Sequence, residues 1–169
     1  MSTLHPNLKI IKEQLYDTCG FEFTNLSINS ESLEYGACSF KLSGNKIQHR
    51  VSKITPTKTG QFVTIWKRNK NGITEPFDSK DNFDFVIITS VCNENIGQFI
   101  FPKSILVEKG IITNNNNEGK RGIRVYPSWD KTTSKQAEKT QKWQINYFLN
   151  ISRNQESKCT LFKSLLAKK

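Results

Sequence analysis

The stretch Lys53-Ile54-Thr55-Pro56-Thr57-Lys58-Thr59-Gly60 alternates hydroxyls with lysines around a proline and ends on a glycine. Threonine hydroxyls, lysine ammoniums and the backbone N–H groups that a glycine leaves approachable are the donors that phosphate oxygens accept from. The glycine-lysine-hydroxyl order of a P-loop is absent, and a strand follows in place of a helix. The stretch therefore reads either as a phosphate-contacting loop or as an ordinary exposed hairpin loop. Lys67 and Arg68 close the apolar run FVTIWKR. Gly119-Lys120-Arg121-Gly122 is a compact basic turn, and Arg124 alternates onto the strand after it. Lys103 follows Pro102 at the start of a predicted helix, an unfavourable place for a cation unless an anion shares it. An anion among these groups accounts for the arrangement, as does a hydrated basic surface.

Each tryptophan has cations near it in sequence: Trp66 beside Lys67 and Arg68, Trp129 near Arg124 and Lys131, Trp143 after Lys139 and Lys142. Exposed rings beside cations suit single-stranded nucleic acid, because bases stack on rings while phosphates meet the charges. Burial is the commoner fate of a tryptophan. Trp129, in a polar loop after Pro127, is the best placed to be an exposed stacking surface. Gln141 and Gln144 fall on the apolar face of a predicted helix. They are expected either to bond a neighbouring strand or to line a polar cleft with Arg124.

Asp84 begins the most apolar strand, where a carboxylate can hold a divalent metal. A nuclease site of the restriction type would need a second carboxylate and a lysine on the next strand. That strand offers Gln98 and then Lys103, so Asp84 reads first as a strand-end hydrogen-bonding group. Glu34, Glu75 and Asp81 complete a metal site only if folding gathers them. The two histidines, His5 and His49, sit in no nucleophile context, and no cofactor is expected. The cysteines at 19, 38, 92 and 159 show no CxxC spacing and read as four idle thiols in a reducing cytoplasm.

These side chains must be positioned by 169 residues, enough for one domain. Leu4, Leu8, Ile11, Leu15 and Cys19 form one stripe and predict a helix over residues 1–20 stopped by Gly20; Ile10 and Tyr16 fall off it. Short strands follow: 21–25, 35–42 and, after the turn Ser43-Gly44-Asn45, 46–54. Further strands are predicted at 62–68, 83–91, 97–101 and 122–126. The run FDFVIITSV reads as a central strand covered on both faces. A short helix is expected over Lys103–Lys109 and a longer one over 137–151, capped by Thr133 with Gln136. Residues 156–169 read as a short basic tail or as a final helical turn or two. The fold expected is a single α+β domain over 1–169, a mostly antiparallel or mixed sheet with an N-terminal and a C-terminal helix packed on it.

The formal charge is +10 with a pI near 9.5. It lies in two blocks, net +5 over residues 51–70 and net +8 over 111–169, on either side of a centre of net −3. No apolar run reaches the length of a membrane span and no secretory leader is recognisable, so a cytoplasmic protein without membrane contact is expected.

The blocks KITPTKTGQFVTIWKR (53–68), GQFIFPKSIL (97–106), GKRGIRVYPSWD (119–130) and KTQKWQINYF (139–148) resemble the MepB family over about residues 34–151. These are small bacterial proteins named for a gene beside an efflux pump. The resemblance permits a nucleic-acid-binding role and carries over no catalytic residue. The reading of the whole is a non-catalytic protein that binds nucleic acid, DNA or RNA, or another phosphate-bearing ligand. Its contacts would come from Lys53, Thr55, Lys58, Lys67, Arg68, Lys103, Lys120, Arg121, Arg124, Trp129, Gln141 and Gln144. The alternatives are a metal-dependent nuclease using Asp84 and an accessory module that binds a protein partner.

Overall fold

The structure is a computed structural model and describes residues 3–152 and 156–169. Its strands are β1 (Phe23–Ile28), β2 (Cys38–Leu42), β3 (Asn45–Val51), β4 (Lys53–Ile54), β5 (Gln61–Thr64) and β6 (Trp66–Arg68). They continue as β7 (Thr74–Pro76), β8 (Phe85–Cys92), β9 (Asn95–Pro102), β10 (Gly122–Val125) and β11 (Phe148–Asn150). The helices are α1 (Pro6–Ile11), α2 (Lys103–Glu108), α3 (Lys135–Gln144) and α4 (Lys158–Leu166). Six strands form the main sheet in the order β1-β2-β3-β8-β9-β11. The β3–β8 pair is parallel and the others are antiparallel, so the sheet is mixed. A parallel pair needs a long crossover. Here the crossover carries β4, β5 and the β6–β7 hairpin, and β10 pairs back onto β5 to give a second sheet, β10-β5-β4.

The continuous apolar run on β8 is explained by cover on both sides. Phe85 and Ile87 enter a core beneath α1 and α4. Val86 and Ile88 enter a second core with Leu106 of α2, Val63 of β5 and Val125 of β10. The α+β class with terminal helices on the sheet is therefore the fold.

The N-terminal stripe holds for Leu8, Ile11 and Leu15, all fully buried. Tyr16, off the stripe, is fully buried too. The helix passes at Lys12 into a π-helical stretch running to Asp17, and the wider turn brings adjacent Leu15 and Tyr16 both inward. The second helix is capped one residue later than expected, Ser134 accepting from the Ala137 N–H at 3.1 Å. It also ends sooner: Phe148–Asn150 leaves the helix and pairs with Gly97–Phe99 as an edge strand. Gly97 permits this, because a Cβ there would lie 2.5 Å from the Phe148 ring.

Two expectations are corrected at the chain ends. The segment read as a basic tail is α4, and it buries Phe162, Leu165 and Leu166 in the first core. The four thiols are not all idle, since Cys19 and Cys159 form a disulfide that joins the end of the N-terminal helical stretch to α4. Cys38 and Cys92 are free thiols, and burial pushes the Cys38 thiol up to about 12.

Candidate anion-binding cleft

Pairing of β5 with β10 sets Phe62 opposite Arg124 and Thr64 opposite Gly122. Gln144 on α3 holds this sheet from the side. Its Oε1 accepts from the Tyr126 N–H at 2.8 Å, and its Nε2 donates to the Arg124 carbonyl at 3.0 Å. Gln141, one turn earlier, donates to the carbonyls of Pro127 and Asp130 at 3.0 and 2.9 Å. Both amides thus bond backbone in the segment from β10 into the loop after it, and Gln144, unlike Gln141, also lines a cleft together with Arg124, so for it both expected fates hold. Between the β10–β5 sheet, α2's C-terminal end and the first turns of α3 lies a cleft of about 800 Å³.

Lys58, Lys109, Lys120 and Arg124 line this cleft, and among the described residues no carboxylate does. The half-buried rings of Phe62, Tyr126 and Trp143 line it as well, together with hydroxyls from Thr57, Thr133, Ser134 and Thr140. The Lys58 and Lys120 side chains are exposed and make no ion pair among the described residues. Lys109 lies 5.4 Å from the centre of the Trp143 ring. Arg124 donates to the Thr59 carbonyl at 3.1 Å and to the Thr55 hydroxyl, tying the 55–60 loop to β10. Gly60 makes that approach possible. Its φ is +81°, and a Cβ there would lie 2.7 Å from the Tyr126 ring. The N-terminus of α3 adds its partial positive charge to the same cleft.

The other cations named from the sequence stand elsewhere, most of them held by carboxylates. Lys53 pairs with Glu34 at 2.6 Å and lies over the Tyr35 ring. Lys67 meets Asp81 at 2.6 Å and Glu75 at 3.5 Å, which holds its ammonium's pKa above the ordinary lysine range against a partial burial that lowers it. Arg68 pairs with Glu31 at 2.6 Å, and Arg121 with Glu118 at 3.4 Å. Lys103 donates to the carbonyls of Ser79 and Asp81 and lies over Phe83, so backbone oxygens supply the negative partner its helix-start position called for. Trp129 is not a free stacking surface. Its ring stands edge-on to Phe148 at 5.5 Å, and its indole nitrogen is buried without a partner. Lys109, Phe62 and Tyr126 are cleft residues that sequence reading left out, and Trp143, singled out there for its neighbours Lys139 and Lys142, meets Lys109 instead, a contact that no local pattern signals.

Asp84 acts at a strand end. Its Oδ2 accepts from the Lys46 N–H at 2.9 Å, and Lys169 approaches its Oδ1 at 3.4 Å. Among the described residues no three His, Cys, Asp or Glu side chains gather as a metal site would require. Glu75 and Asp81 meet at Lys67, while Glu34 is drawn to Lys53. Gln98, on the strand that follows β8, stands opposite Thr89 far from Asp84, and its amide is spent on Tyr16 and Thr89.

The MepB-like family matches over residues 29–150. The chain belongs to the MepB-like family. A crystal structure of MepB superposes with a TM-score of 0.77 at 34% identity, over 89% of this chain and 100% of that one. A bacterial homing endonuclease gives a TM-score of 0.48 at 14% identity, over 96% of this chain and 93% of that one, too slight a likeness to carry an argument. No curated protein matches. Among the described residues no helix is long and apolar enough to cross a membrane.

Proposed function

We propose that this MepB-like protein binds single-stranded nucleic acid in the cleft between the β10–β5 sheet and α3. The observation that carries the reading is the lining itself: four cations, three half-buried aromatic rings and no carboxylate among the described residues. Cations placed against rings are what a single strand uses, its phosphates meeting the ammoniums while its bases stack. Lys58 and Lys120 are the phosphate contacts, and Trp143 with Tyr126 forms the stacking wall. Arg124 holds the loop that presents Lys58. Lys53, Lys67, Arg68 and Arg121 are paired with carboxylates and contribute only to the long-range field.

Fluorescence anisotropy with labelled single- and double-stranded oligonucleotides, at low and moderate salt, tests this. Single strands are expected to bind more tightly, with affinity falling as salt rises. Losing two phosphate contacts in Lys58→Ala/Lys120→Ala reduces the slope of log affinity against log salt by about 1.4, from roughly 0.7 per contact on single strands. Flat titrations at low salt with tens of micromolar protein (roughly the span of non-specific contacts) overturn the proposal. So does a double variant that binds like the parent.

A further inference from the structure

Arg50 is the one Lys, Arg, Asp or Glu side chain that the fold buries among the described residues, at 4% exposure. Its guanidinium lies 5.5 Å from the centre of the Phe77 ring. One terminal nitrogen donates to the His49 carbonyl at 2.8 Å and the other to the Trp66 carbonyl at 3.3 Å. Its Nε is buried and meets no partner. No carboxylate pairs with it among the described residues, although buried charges are ordinarily paired. Burial lowers its pKa to about 10, so it remains a cation at neutral pH.

A pocket of about 250 Å³ opens beside it, lined by Ser27, Asn29, Cys38, Ser39, Gln48 and Arg50. The register explains the grouping. Ser27 stands opposite Ser39 and Ser39 opposite Gln48, so one polar row crosses β1, β2 and β3. Cys38, Phe40 and Leu42 point into the first core, so Ser39 faces the other way, as do Gln48 and Arg50 between the inward-facing Ile47, His49 and Val51. The Ser27 and Ser39 hydroxyls and the Gln48 amide are donors of the kind an oxyanion accepts from, and no acid lines the pocket. That volume leaves room for a tetrahedral anion with part of its hydration. It shares no lining residue with the α3 cleft.

We propose that this pocket is a binding site for a small phosphate-class oxyanion, held by the Arg50 guanidinium against the Ser27–Ser39–Gln48 row. The anion supplies the counter-charge that the fold withholds from Arg50. A charge-assisted contact of this kind gives an affinity change of tenfold or more when the guanidinium is removed.

Thermal unfolding and isothermal titration of the full chain with inorganic phosphate, against sodium chloride at matched ionic strength, test the site. The parent and the cleft variant Lys58→Ala/Lys120→Ala are both expected to show a saturable rise in midpoint and a one-site heat. In Arg50→Met the affinity falls at least tenfold. Should Arg50→Met not fold, Ser39→Val/Gln48→Leu keeps the guanidinium and is expected to weaken binding several-fold. Repeating the titration with glycerol phosphate separates the sources: tighter binding assigns the site to a phosphomonoester, weaker binding to free phosphate. No saturable response at millimolar phosphate, or a response unchanged in both pocket variants, overturns the proposal.

Discussion

Acidification from pH 6.5 to pH 5 is expected to remove about 1.5–2 kcal/mol of folding stability through His49 alone, one proton's worth of linkage over that window. His49 is fully buried on β3. Its hydrogen bonds run in a single direction. Tyr16 donates to Gln98 Oε1 at 2.8 Å, and Gln98 Nε2 donates to Thr89 Oγ1 at 2.9 Å. Thr89 Oγ1 and His49 Nε2 lie 2.8 Å apart, and His49 Nδ1 lies 3.1 Å from the Gly36 carbonyl. A carbonyl only accepts, so Nδ1 carries the proton, Nε2 accepts from Thr89, and the ring is neutral. Burial is the main cause that pulls its pKa down to about 3; the Gly36 carbonyl opposes this, and the charges of Arg50 and His5 add to it.

The sign follows from which state takes up the proton. The unfolded chain binds it near pH 6.5 while the folded protein refuses it until about pH 3. Stability is therefore full above pH 6.5 and is lost as pH falls toward 3, several kcal/mol in all at about 1.4 kcal/mol per pH unit. Most carboxylates titrate below pH 5, so the upper part of the window isolates the histidines. His5, partly buried, has its pKa lowered by burial and by Lys53 and adds a smaller change of the same sign. Urea unfolding at pH 7.5, 6.5 and 5 is the measurement. His49→Gln is expected to be less stable at pH 7.5 and distinctly flatter between 6.5 and 5. A slope equal to that of the parent would remove His49 as the cause.

The central strand and its cover were legible because period and composition are local properties. The alternation of Phe40 and Leu42, the turn at Ser43-Gly44 and the unbroken apolar run of β8 each lie within a few residues, whereas Cys38, read as a break in phase, is in phase with Phe40 and Leu42. What escaped depends on distance along the chain. Glu31 and Arg68 are 37 residues apart, and Glu34 and Lys53 are 19 apart, so a count of charges by block places cations on a surface that folding partly neutralises. Lys58, Lys120 and Arg124 survive as a cluster because β5 pairs with β10 across some sixty residues, a register no local pattern carries. Lys109 and Trp143 join them through the packing of two helices. The polar chain from Tyr16 to Gly36 was invisible for the same reason, its members coming from the N-terminal helix, three strands and the loop before β2. Tyr16 was misplaced by the assumption of a uniform 3.6-residue period, which the π-helical stretch breaks.

The C-terminal segment gives the second large effect. Lysines at 158, 163, 168 and 169 made it look like a solvated tail, yet three apolar residues among them fall on one face of α4. Phe162 is fully buried, edge-on to Phe21 at 4.9 Å and 5.4 Å from Tyr16, the tyrosine that starts the polar chain. Phe162→Ala is expected to cost about 3–5 kcal/mol, the usual range for emptying a buried phenylalanine site. The disulfide from Cys19 to Cys159 closes a separation of 140 residues, which in the chain-entropy account is worth up to about 4–5 kcal/mol by restricting the unfolded state. The two contributions separate experimentally. Urea unfolding of the parent, Phe162→Ala and Cys159→Ser, each with and without dithiothreitol, is the test. Phe162→Ala loses its stability under both conditions, because the cavity is in the folded state. Cys159→Ser loses it only without reductant, where the parent keeps its cross-link. A solvated tail would instead leave Phe162→Ala within about 0.5 kcal/mol of the parent, as surface changes do, and that result would detach α4 from the core and free Tyr16 of its neighbour.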